Sequence, residues 1–365
     1  MMSRTHRIAL LPGDGVGPEV TLAARRVMET AAANLDVELS FDEYAIGWAG
    51  VLEMGHPLPE ATLQGAHAAD AVFLGAVGDP AAEGVDPERR PEAGLLALRA
   101  ALGLYTNLRP LKVISALADT SPLRRERVEG VDLMIVRELA GGLYYGQPRE
   151  LTGTGEARAA LNTLRYDASE VTRVAEVAFQ LAVARRGQLV SIDKANVLET
   201  SRLWRQVVDE VALGHPGVEY GHMLVDRAAM ELVLRPGQFD VILTENLFGD
   251  ILSDEAAGVA GSLGLLPSAS LGTGTPLFEP VHGSAPDLAG QGLANPTAAI
   301  LSAAMLMEHA LNLPAAARAI EEAVDAIFAA GTRTGDLGGD AGTAVGTEAF
   351  TDAVVARLVG SFSSA

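Results

Sequence analysis

Two aspartates, Asp250 and Asp254, lie four residues apart in the segment Phe248–Asp254, directly after the predicted strand Val241–Thr244. In a helix this spacing places both carboxylates on one face, where their like charges repel. A divalent cation would remove that repulsion, and two carboxylates with substrate oxygens and water suit the all-oxygen site that Mg²⁺ or Mn²⁺ prefers. The apolar residues on either side favour a partly buried metal site over a solvated acidic face.

Three arginines stand next to apolar segments: Arg99, Arg109 and Arg137. Guanidinium groups bind carboxylates through paired hydrogen bonds, so three converging arginines would suit a di- or tricarboxylate. The formal net charge of -20 does not oppose an anionic ligand, because charges beyond about 8 Å are largely screened at physiological salt. Taken singly, each arginine is better explained as a surface ion-pair partner.

Lys194 follows the short apolar strand predicted over Leu189–Asp193. A lysine can act as a general base only when it gives up its proton near neutral pH, which neighbouring cations and desolvation favour. A bound metal and the three arginines could supply those conditions. The alternative is a surface lysine whose stem lies along apolar neighbours.

Two loops are rich in turn-forming residues. Leu11–Glu19 follows a strand and precedes a helix, as a phosphate-binding loop does, but its G-x-G-x-G spacing departs from the dinucleotide fingerprint G-x-G-x-x-G. A tight turn without a ligand explains it almost as well. Phe278–Asp287 is typical of ligand-binding loops, although an irregular connection followed by Asn295 as a helix cap remains the alternative.

The elements that must position these groups alternate along the chain, as in an α/β fold with a largely parallel sheet. Predicted strands are Arg7–Leu11, Ala71–Gly75, Leu133–Arg137, Leu189–Asp193 and Val241–Thr244. Predicted helices are Pro18–Ala33, Ala168–Arg186, Leu198–Val211, Asp226–Leu234, Pro296–Leu311 and Ala315–Ala329. The segment Gly141–Tyr166, rich in Gly and Thr, predicts an extended arm: either a hairpin reaching a partner subunit or a surface loop.

Composition excludes several classes of protein. The 365 residues are 48% hydrophobic and 20% charged, enough for one large or two ordinary domains. The negative net charge argues against nucleic-acid binding, and the absence of cysteine excludes thiolate metal ligands and cysteine nucleophiles. Because no run of about 18 apolar residues or signal-peptide core is found, we expect a soluble, cytoplasmic protein without membrane contact.

Seven motifs, in order, resemble the isocitrate/isopropylmalate family of β-decarboxylating dehydrogenases along essentially the whole chain. They are LPGDGVGPE from Leu11, GLYTNLRP from Gly103, VRELAGGLYYG from Val136, SIDKANVLE from Ser191, NLFGDILSDEAAG from Asn246, FEPVHGSAPD from Phe278 and ANPTAAILS from Ala294. The resemblance implies that family's two-domain α/β fold, with mixed, largely parallel sheets flanked by helices, and not a Rossmann fold. It implies a cofactor-binding domain from residues 1–104 and 261–365. The second domain, 105–260, would carry the dimer interface, the metal site and the arm 141–166.

The activity that the resemblance implies is oxidative decarboxylation of 3-isopropylmalate in leucine biosynthesis, with NAD and Mg²⁺ or Mn²⁺. Tyr144 would be the acid and Lys194 the base. The metal ligands would be Asp226, Asp250 and Asp254; the substrate would contact Arg99, Arg109, Arg137, Asp226, Glu92, Leu95, Leu96 and Val197; the cofactor would contact Glu279, His282, Gly283, Ser284, Ala285, Asp287 and Asn295. An acid at Asp287 suits the free ribose 2′-hydroxyl of NAD and repels the 2′-phosphate of NADP. In relatives Lys194 and Asp226 come from the second subunit, so a homodimer with shared active sites is expected.

Several alternatives stay open. Leu95 and Leu96 could be ordinary core residues, and a methylene in an apolar pocket contributes only about 1 to 3 kcal/mol, so D-malate or tartrate could be substrates. A non-catalytic regulatory subunit of the same fold usually lacks a base or a metal carboxylate, whereas this chain has them all. Two residues depart from the family pattern: Glu245 stands where many isopropylmalate enzymes carry glycine, and Tyr145 where phenylalanine is common.

Overall fold

Strands and helices alternate along the chain in a computed structural model that describes residues 5–338 and 344–362. The strands are β1 (Thr5–Gly13), β2 (Glu38–Glu43), β3 (Ala71–Ala76), β4 (Leu104–Lys112), β5 (Asp132–Glu138), β6 (Glu150–Thr152), β7 (Ala159–Leu161), β8 (Gln188–Asp193), β9 (Glu219–Leu224), β10 (Val241–Thr244), β11 (Pro267–Gly272) and β12 (Leu277–Pro280). The helices are α1 (Gly17–Ala33), α2 (Gly47–Met54), α3 (Glu60–Ala68), α4 (Pro91–Ala101), α5 (Arg125–Val128), α6 (Ala168–Ala184), α7 (Glu199–Ala212), α8 (Val225–Leu234), α9 (Asn246–Ala260), α10 (Thr297–His309), α11 (Pro314–Ala329) and α12 (Thr347–Phe362).

The chain divides into two compact units. The first contains the described residues up to Leu104, Val113–Arg125 and those from Ala260 onward; the second contains Tyr105–Lys112 and Glu126–Val259. The two-domain organisation inferred from the sequence remains a proposal. The compact units differ from the proposed boundaries in two places, since Val113–Arg125 and Ala260 belong to the first unit.

The first unit is built on the strand order β2-β1-β3-β12-β11, in which only β11 and β12 pair antiparallel. Every residue of β3 is buried, which agrees with its unbroken apolar sequence, since strands covered on both faces need no polar side. Helices α1 and α10 pack against one another and against these strands, with their buried faces made largely of alanine, valine and methionine. Small side chains there allow close packing of helix on sheet.

The second unit has the order β4-β5-β10-β8-β9. Strands β5, β10, β8 and β9 are parallel, and β4 pairs antiparallel with β5. The carboxyl ends of parallel strands lie at one edge of a sheet, where ligands commonly bind in α/β proteins. Arg137 near the end of β5 is directly opposite Thr244 at the end of β10, so the loops that follow these strands start side by side.

The predicted α/β class with a largely parallel sheet is confirmed, and so are all five predicted strands and six predicted helices, with ends shifted by a few residues. Helix α6 ends at Ala184 rather than Arg186, because Gly187 adopts a φ of +77° that leads the chain into β8. Pro296, expected as the first helical residue, immediately precedes α10. Within the described residues, no helix is long and apolar enough to cross a membrane.

Candidate active site

Buried arginines face the acidic pair of α9. The guanidinium of Arg137, 2% exposed, donates from Nη1 to Asp250. Arg109, 6% exposed, brings Nη2 within 3.4 Å of Oδ1 of Asp250 and Nη1 within 3.7 Å of Oδ1 of Asp254. The sequence prediction that both aspartates share one helix face is therefore confirmed, and two of the three predicted arginines meet them.

Arg109 is held by two residues that the sequence analysis did not single out. Its Nε donates to Asn107 Oδ1 at 2.7 Å, and its Nη1 donates to Ser253 Oγ at 2.5 Å. These neutral acceptors fix the plane of the guanidinium without cancelling its charge. Together these bonds orient the Arg109 guanidinium towards the two aspartates of α9, with which it forms ion pairs.

Asp250 and Asp254 have the chemistry of a divalent-cation site. Burial raises the pKa of Asp254; the charge of Arg109 opposes this, and the charge of Asp250 adds to it. A bound Mg²⁺ or Mn²⁺ would relieve that like-charge repulsion, and carboxylate oxygens are the donors such cations prefer. Within the described part of the chain, no group of three His, Asp or Glu side chains is placed to hold a metal, so one chain offers these two carboxylates as a partial site.

Tyr144 belongs to the same cluster. It lies on the short 3-10 helix Gly142–Tyr144, and its hydroxyl donates to Oδ2 of Asp250. The Arg137 guanidinium carbon lies 5.3 Å from the centre of its ring, within cation–π range. Burial, together with the hydrogen bond to Asp250 and that residue's charge, raises the pKa of Tyr144, so the phenol keeps its proton at neutral pH.

Lys194 and Asp226 form a pair of their own. Lys194 follows β8, and its Nζ lies 2.5 Å from Oδ1 of Asp226, at the start of α8. The hydrogen bond from Lys194 lowers the pKa of Asp226. The predicted base and the predicted third metal ligand therefore bind each other, and in the part of the chain that the structure describes Asp226 does not join Asp250 and Asp254 in a metal-holding group.

Predicted substrate residues of the first unit lie on one face of α4. Glu92, Leu95, Leu96 and Arg99 follow helical spacing, and both leucines are half-buried, whereas Leu98 of the same helix is fully buried. Leu95 and Leu96 are therefore not ordinary core leucines. Arg99 Nη2 lies 2.5 Å from Oε1 of Glu279 in a buried ion pair; the convergence of Arg99 with the other two arginines stays a prediction. Val197, the remaining pocket residue, is exposed in the second unit.

The glycine loop between β1 and α1 packs against the loop after β12. Val16 N donates to Ser284 O at 2.8 Å, and a Cβ on Gly15 would lie 2.0 Å from that same oxygen. Asp14 accepts backbone hydrogen bonds from Trp48, Ala49 and Gly78 at 2.8 to 2.9 Å. In the structure this loop is thus a tight turn whose backbone and Asp14 side chain hydrogen-bond the adjacent loops.

Of the predicted cofactor residues, Glu279 lies in β12 and the others lie on the loop between β12 and α10. His282 Nδ1 pairs with Gly283 O at 2.9 Å, while its Nε2 is buried and has no hydrogen-bond partner among the described residues. Burial lowers the pKa of His282. Asn295 Oδ1 accepts from Thr297 N and its Nδ2 donates to Asp336, both at 3.0 Å. The unpaired Nε2 atom fits a ligand in this loop, since buried polar atoms normally have partners.

The arm between β5 and α6 contains a two-stranded hairpin. Strands β6 and β7 pair antiparallel, with Leu151 opposite Ala160. Every residue of both strands is exposed, and Leu151 reaches 79%. Of the two alternatives left open by the sequence, the structure contains a hairpin; its contact with a partner subunit stays a prediction.

A buried glutamate, Glu138, is the last residue of β5 and directly follows Arg137. Its carboxylate accepts from Ala140 N and Gly141 N, and Arg173 Nη2 lies 3.8 Å away. Burial, which outweighs these contacts, raises the pKa of Glu138 from 4.5 to about 7. Between these two pH values the folded protein therefore holds a proton that the unfolded chain releases.

We expect this proton to make folding pH-dependent. Because the folded pKa is raised, the protonated carboxyl stabilises the fold below pH 4.5, and the unfolding free energy falls by about 3 kcal/mol as pH rises to 7. Glu138→Gln should lack this decrease, so its melting temperature should rise relative to the parent between pH 5 and 8. Calorimetry at both pH values measures the difference, with the exposed Glu43→Gln as control. Parallel pH profiles for parent and Glu138→Gln would contradict the assignment.

Comparison with known proteins gives one consistent family. The family model described as isocitrate/isopropylmalate dehydrogenase matches residues 7–354. Curated proteins named 3-isopropylmalate dehydrogenase are similar over most of the chain: that of Synechococcus sp. (strain CC9605) is 56% identical over 91% of this chain and 93% of its own. That of Bacillus subtilis (strain 168) is 54% identical over 91% of each chain.

Solved structures agree with the fold. The crystal structure of isocitrate dehydrogenase from Methylococcus capsulatus has a TM-score of 0.86 and 38% identity, covering 97% of this chain and 99% of that one. A β-decarboxylating dehydrogenase from Thermococcus kodakarensis has a TM-score of 0.80 and 36% identity, covering 98% and 97%. The predicted fold, mixed and largely parallel sheets flanked by helices as in these dehydrogenases, is confirmed.

Proposed function

The chain belongs to the isocitrate/isopropylmalate dehydrogenase family, and from that premise we propose that it catalyses the NAD-dependent oxidative decarboxylation of 3-isopropylmalate in leucine biosynthesis. The observation that carries the proposal is the meeting of Arg109, Arg137 and Tyr144 at the Asp250–Asp254 pair. This arrangement joins carboxylate-binding, acid and metal-binding groups in one cluster. The curated relatives at 53 to 56% identity carry the name of that activity.

Substrate binding rests on the arginines. Arg109 and Arg137 would bind substrate carboxylates, with Arg99 from α4 as the third, since paired N–H donors match a carboxylate's two oxygens. The half-buried Leu95 and Leu96 offer an apolar surface for the isopropyl group, beside Glu92, and Val197 would complete the pocket. Isocitrate would present a third carboxylate to this apolar surface.

The divalent cation would be held by Asp250, Asp254 and Asp226, the last from the second subunit. When bound, it would act as a Lewis acid on the substrate oxygens. Asp250 also accepts from Tyr144 and Arg137, so this one carboxylate ties the position of the acid to that of a substrate-binding arginine. A change at Asp250 should consequently affect binding and chemistry together.

Proton transfer is assigned to Lys194 and Tyr144. Lys194 would take the C2 hydroxyl proton as hydride leaves for the nicotinamide, and Tyr144 would deliver a proton to C3 after CO₂ departs. The raised pKa of Tyr144 keeps that phenol protonated and ready as an acid. Lys194 Nζ is paired with Asp226 within one chain, so this contact would have to open before Nζ could take a proton from the substrate.

A homodimer follows from this division of residues. Among the described residues of one chain, Asp226 does not join Asp250 and Asp254 in a group that could hold a metal and pairs with Lys194, so a second copy would supply both residues. Exposed apolar side chains support such a contact: Met230, Val233 and Leu234 on α8, and Ile251 on α9. The exposed hairpin offers unpaired strand edges to the same partner. Light scattering on the purified protein tests the dimer.

The cofactor proposed is NAD, bound by the loop after β12. The unpaired His282 Nε2 would find its partner there, together with Glu279, Gly283, Ser284, Ala285 and Asn295. Asp287, exposed on the turn Pro286–Leu288, would accept a hydrogen bond from the adenosine ribose. A cytoplasmic location goes with the proposal.

Asp287→Ala is expected to narrow the preference for NAD over NADP by about tenfold, since a carboxylate that repels the 2′-phosphate is removed. The ratio of kcat/KM values for the two cofactors measures this. Asp352→Ala, an exposed aspartate paired with Arg26 on the surface, is the control and should keep the parent ratio. An unchanged ratio in Asp287→Ala would remove Asp287 from the cofactor site.

The direct test is NADH formation with Mg²⁺ and 3-isopropylmalate, D-malate or isocitrate, each with NAD and with NADP. A strong preference for 3-isopropylmalate with NAD, abolished by chelator, is the expected outcome. Preference for D-malate or isocitrate would overturn the substrate and keep the reaction class. No turnover with any acid would favour a non-catalytic regulatory subunit.

A further inference from the structure

One buried side chain, Asn246, connects the substrate-binding arginine to the acid. Its Oδ1 accepts from Nε and Nη2 of Arg137 at 3.1 and 2.8 Å, and its Nδ2 donates to Gly141 O at 3.0 Å. Gly141 immediately precedes the short helix that carries Tyr144. The amide oxygen binds Arg137 and the amide nitrogen binds the backbone at Gly141. The orientation of this amide therefore determines the position of both the guanidinium and the segment that leads to Tyr144.

Asn246 is in turn fixed by the residue before it and by a tyrosine. Asn246 N donates to the Tyr166 hydroxyl oxygen at 3.0 Å. The Glu245 carboxylate accepts from Phe248 N at 2.8 Å and from Leu247 N at 3.2 Å, which holds the first turn of α9. Oε2 of Glu245 also lies 3.3 Å from the Tyr166 hydroxyl. Glu245 thus constrains Asn246 by two routes: through the first turn of α9 and through the Tyr166 hydroxyl.

The Tyr166 ring cannot easily move. Trp204 meets it edge to face with ring centres 5.6 Å apart. A Cβ on Gly141 would lie 2.7 Å from the Tyr166 ring, and one on Gly142 would lie 2.5 Å from its hydroxyl. These close approaches explain why glycine occupies both positions. They also restrict where the Tyr166 hydroxyl can lie.

The hydroxyl serves two carboxylates with a single proton. Its oxygen lies 3.2 Å from Oε2 of Glu138 and 3.3 Å from Oε2 of Glu245. Both contacts are hydrogen bonds when one carboxyl keeps its own proton, and burial raises the pKa of each glutamate. A protonated Glu138 donating to Tyr166, which donates to Glu245, satisfies every group in the cluster.

We propose that Glu245 is a positioning residue: through Asn246 and Tyr166 it holds the Arg137 guanidinium in the orientation that binds a substrate carboxylate. The inference rests on the proposed function, because it takes Arg137 to contact the substrate. The alternative is a carboxylate that merely caps α9, which would stabilise the fold and leave substrate affinity alone. The two differ in which kinetic constant changes.

The experiment compares Glu245→Ala and Glu245→Gln with the parent and with Glu170→Ala. Glu170 is the matched control, because it is another helix-start glutamate of the second unit, bonded to Asp167 N at 2.8 Å, whereas Glu245 contacts the Tyr166 hydroxyl. We expect Glu245→Ala to raise the KM for 3-isopropylmalate by about tenfold through loss of a buried hydrogen-bond network. The KM for NAD should stay near the parent value.

Glu245→Gln should restore most of the substrate affinity. Its amide oxygen can accept from the backbone of α9 and its amide nitrogen can donate to the Tyr166 oxygen. Glu170→Ala should lower the melting temperature without changing either KM. A Glu245→Ala variant that behaves like this control, or whose two KM values rise together, would overturn the positioning role.

A binding measurement separates this inference from the proposed function. The melting temperature of each variant is recorded with 3-isopropylmalate, D-malate or isocitrate. If D-malate alone stabilises the parent, the substrate proposal fails, and loss of that stabilisation in Glu245→Ala still supports positioning. Equal stabilisation of parent and Glu245→Ala by an acid would overturn the positioning role alone. A parent that none of the acids stabilises or reacts with would overturn both.

Discussion

Lys194→Ala is expected to lower kcat by roughly three orders of magnitude, the upper part of the range for a lost general base. Lys194 follows β8, and its ammonium group reaches Asp226 in the structure. Removing the amine leaves the three arginines and the α9 aspartates intact, so the KM for 3-isopropylmalate should change much less than kcat. Initial rates of NADH formation at saturating substrate measure the loss.

Chemical rescue makes the test specific to the base. Methylamine added at high concentration should restore part of the lost kcat in Lys194→Ala, because a free amine can occupy the vacated space and take the proton. The chain contains only two lysines, Lys112 and Lys194, so Lys112→Ala is the natural control and should keep the parent kcat with no response to amine. A Lys194→Ala variant of normal melting temperature and nearly normal kcat would rule out the assignment.

The strands that the sequence predicted are the buried parallel ones. β3, β5 and β10 have unbroken apolar runs because both faces are covered. β2 and β9 were missed because they lie at the ends of the strand order, are rich in polar residues and contain no fully buried residue. Their pairing with a neighbour, rather than their own pattern, makes them strands.

A further strand was missed for the opposite reason. In β4, the buried residues include Thr106, Asn107 and Arg109, and buried polar side chains interrupt the apolar pattern on which prediction depends. Arg109 is tolerated there because Asn107 and Ser253 accept its hydrogen bonds. β4 therefore departs from the apolar pattern of a buried strand at Arg109, where the candidate site requires a positive charge.

The candidate site divides in the same way. Arg137, Asp250 and Lys194 could be singled out because charged residues beside apolar strands point to a cleft. Asn246 and Tyr166 could not, because their contacts span 109 and 80 residues. Sequence spacing carries no information on such pairs without a fold. The arrangement of all three arginines and the subunit origin of Lys194 stay predictions.

Asp250→Asn is expected to lower kcat/KM by roughly 10³-fold, equivalent to about 4 kcal/mol of transition-state stabilisation. Asp250 accepts from Arg137 and Tyr144 and lies 3.4 Å from Arg109. An amide of the same shape keeps one acceptor oxygen and loses the charge that would hold a cation. The variant should therefore fold, with a melting temperature a few degrees lower, because buried guanidinium charge loses a counter-charge.

The binding of metal can be followed apart from turnover. Free Mn²⁺ gives an electron paramagnetic resonance signal that bound Mn²⁺ loses, so titration gives the affinity of the protein for the ion. We expect the parent to bind Mn²⁺ and to melt higher with it, and Asp250→Asn to show neither effect at the same concentration. Asp209→Asn, which removes an aspartate paired with His222 on the surface of the second unit, should behave as the parent.

The Mn²⁺ affinity and the melting temperature together distinguish two possible roles of Asp250. If Asp250 served only as a counter-charge for the arginines, the variant would melt lower but keep the parent's affinity for Mn²⁺. If it is a metal ligand, the affinity is lost even where the melting temperature is hardly changed, because the amide still bonds Tyr144. We expect Asp250→Asn to lose Mn²⁺ affinity and to melt at a lower temperature, with Asp209→Asn unaffected. That result is expected if one carboxylate binds the cation, the Tyr144 hydroxyl and the Arg137 guanidinium.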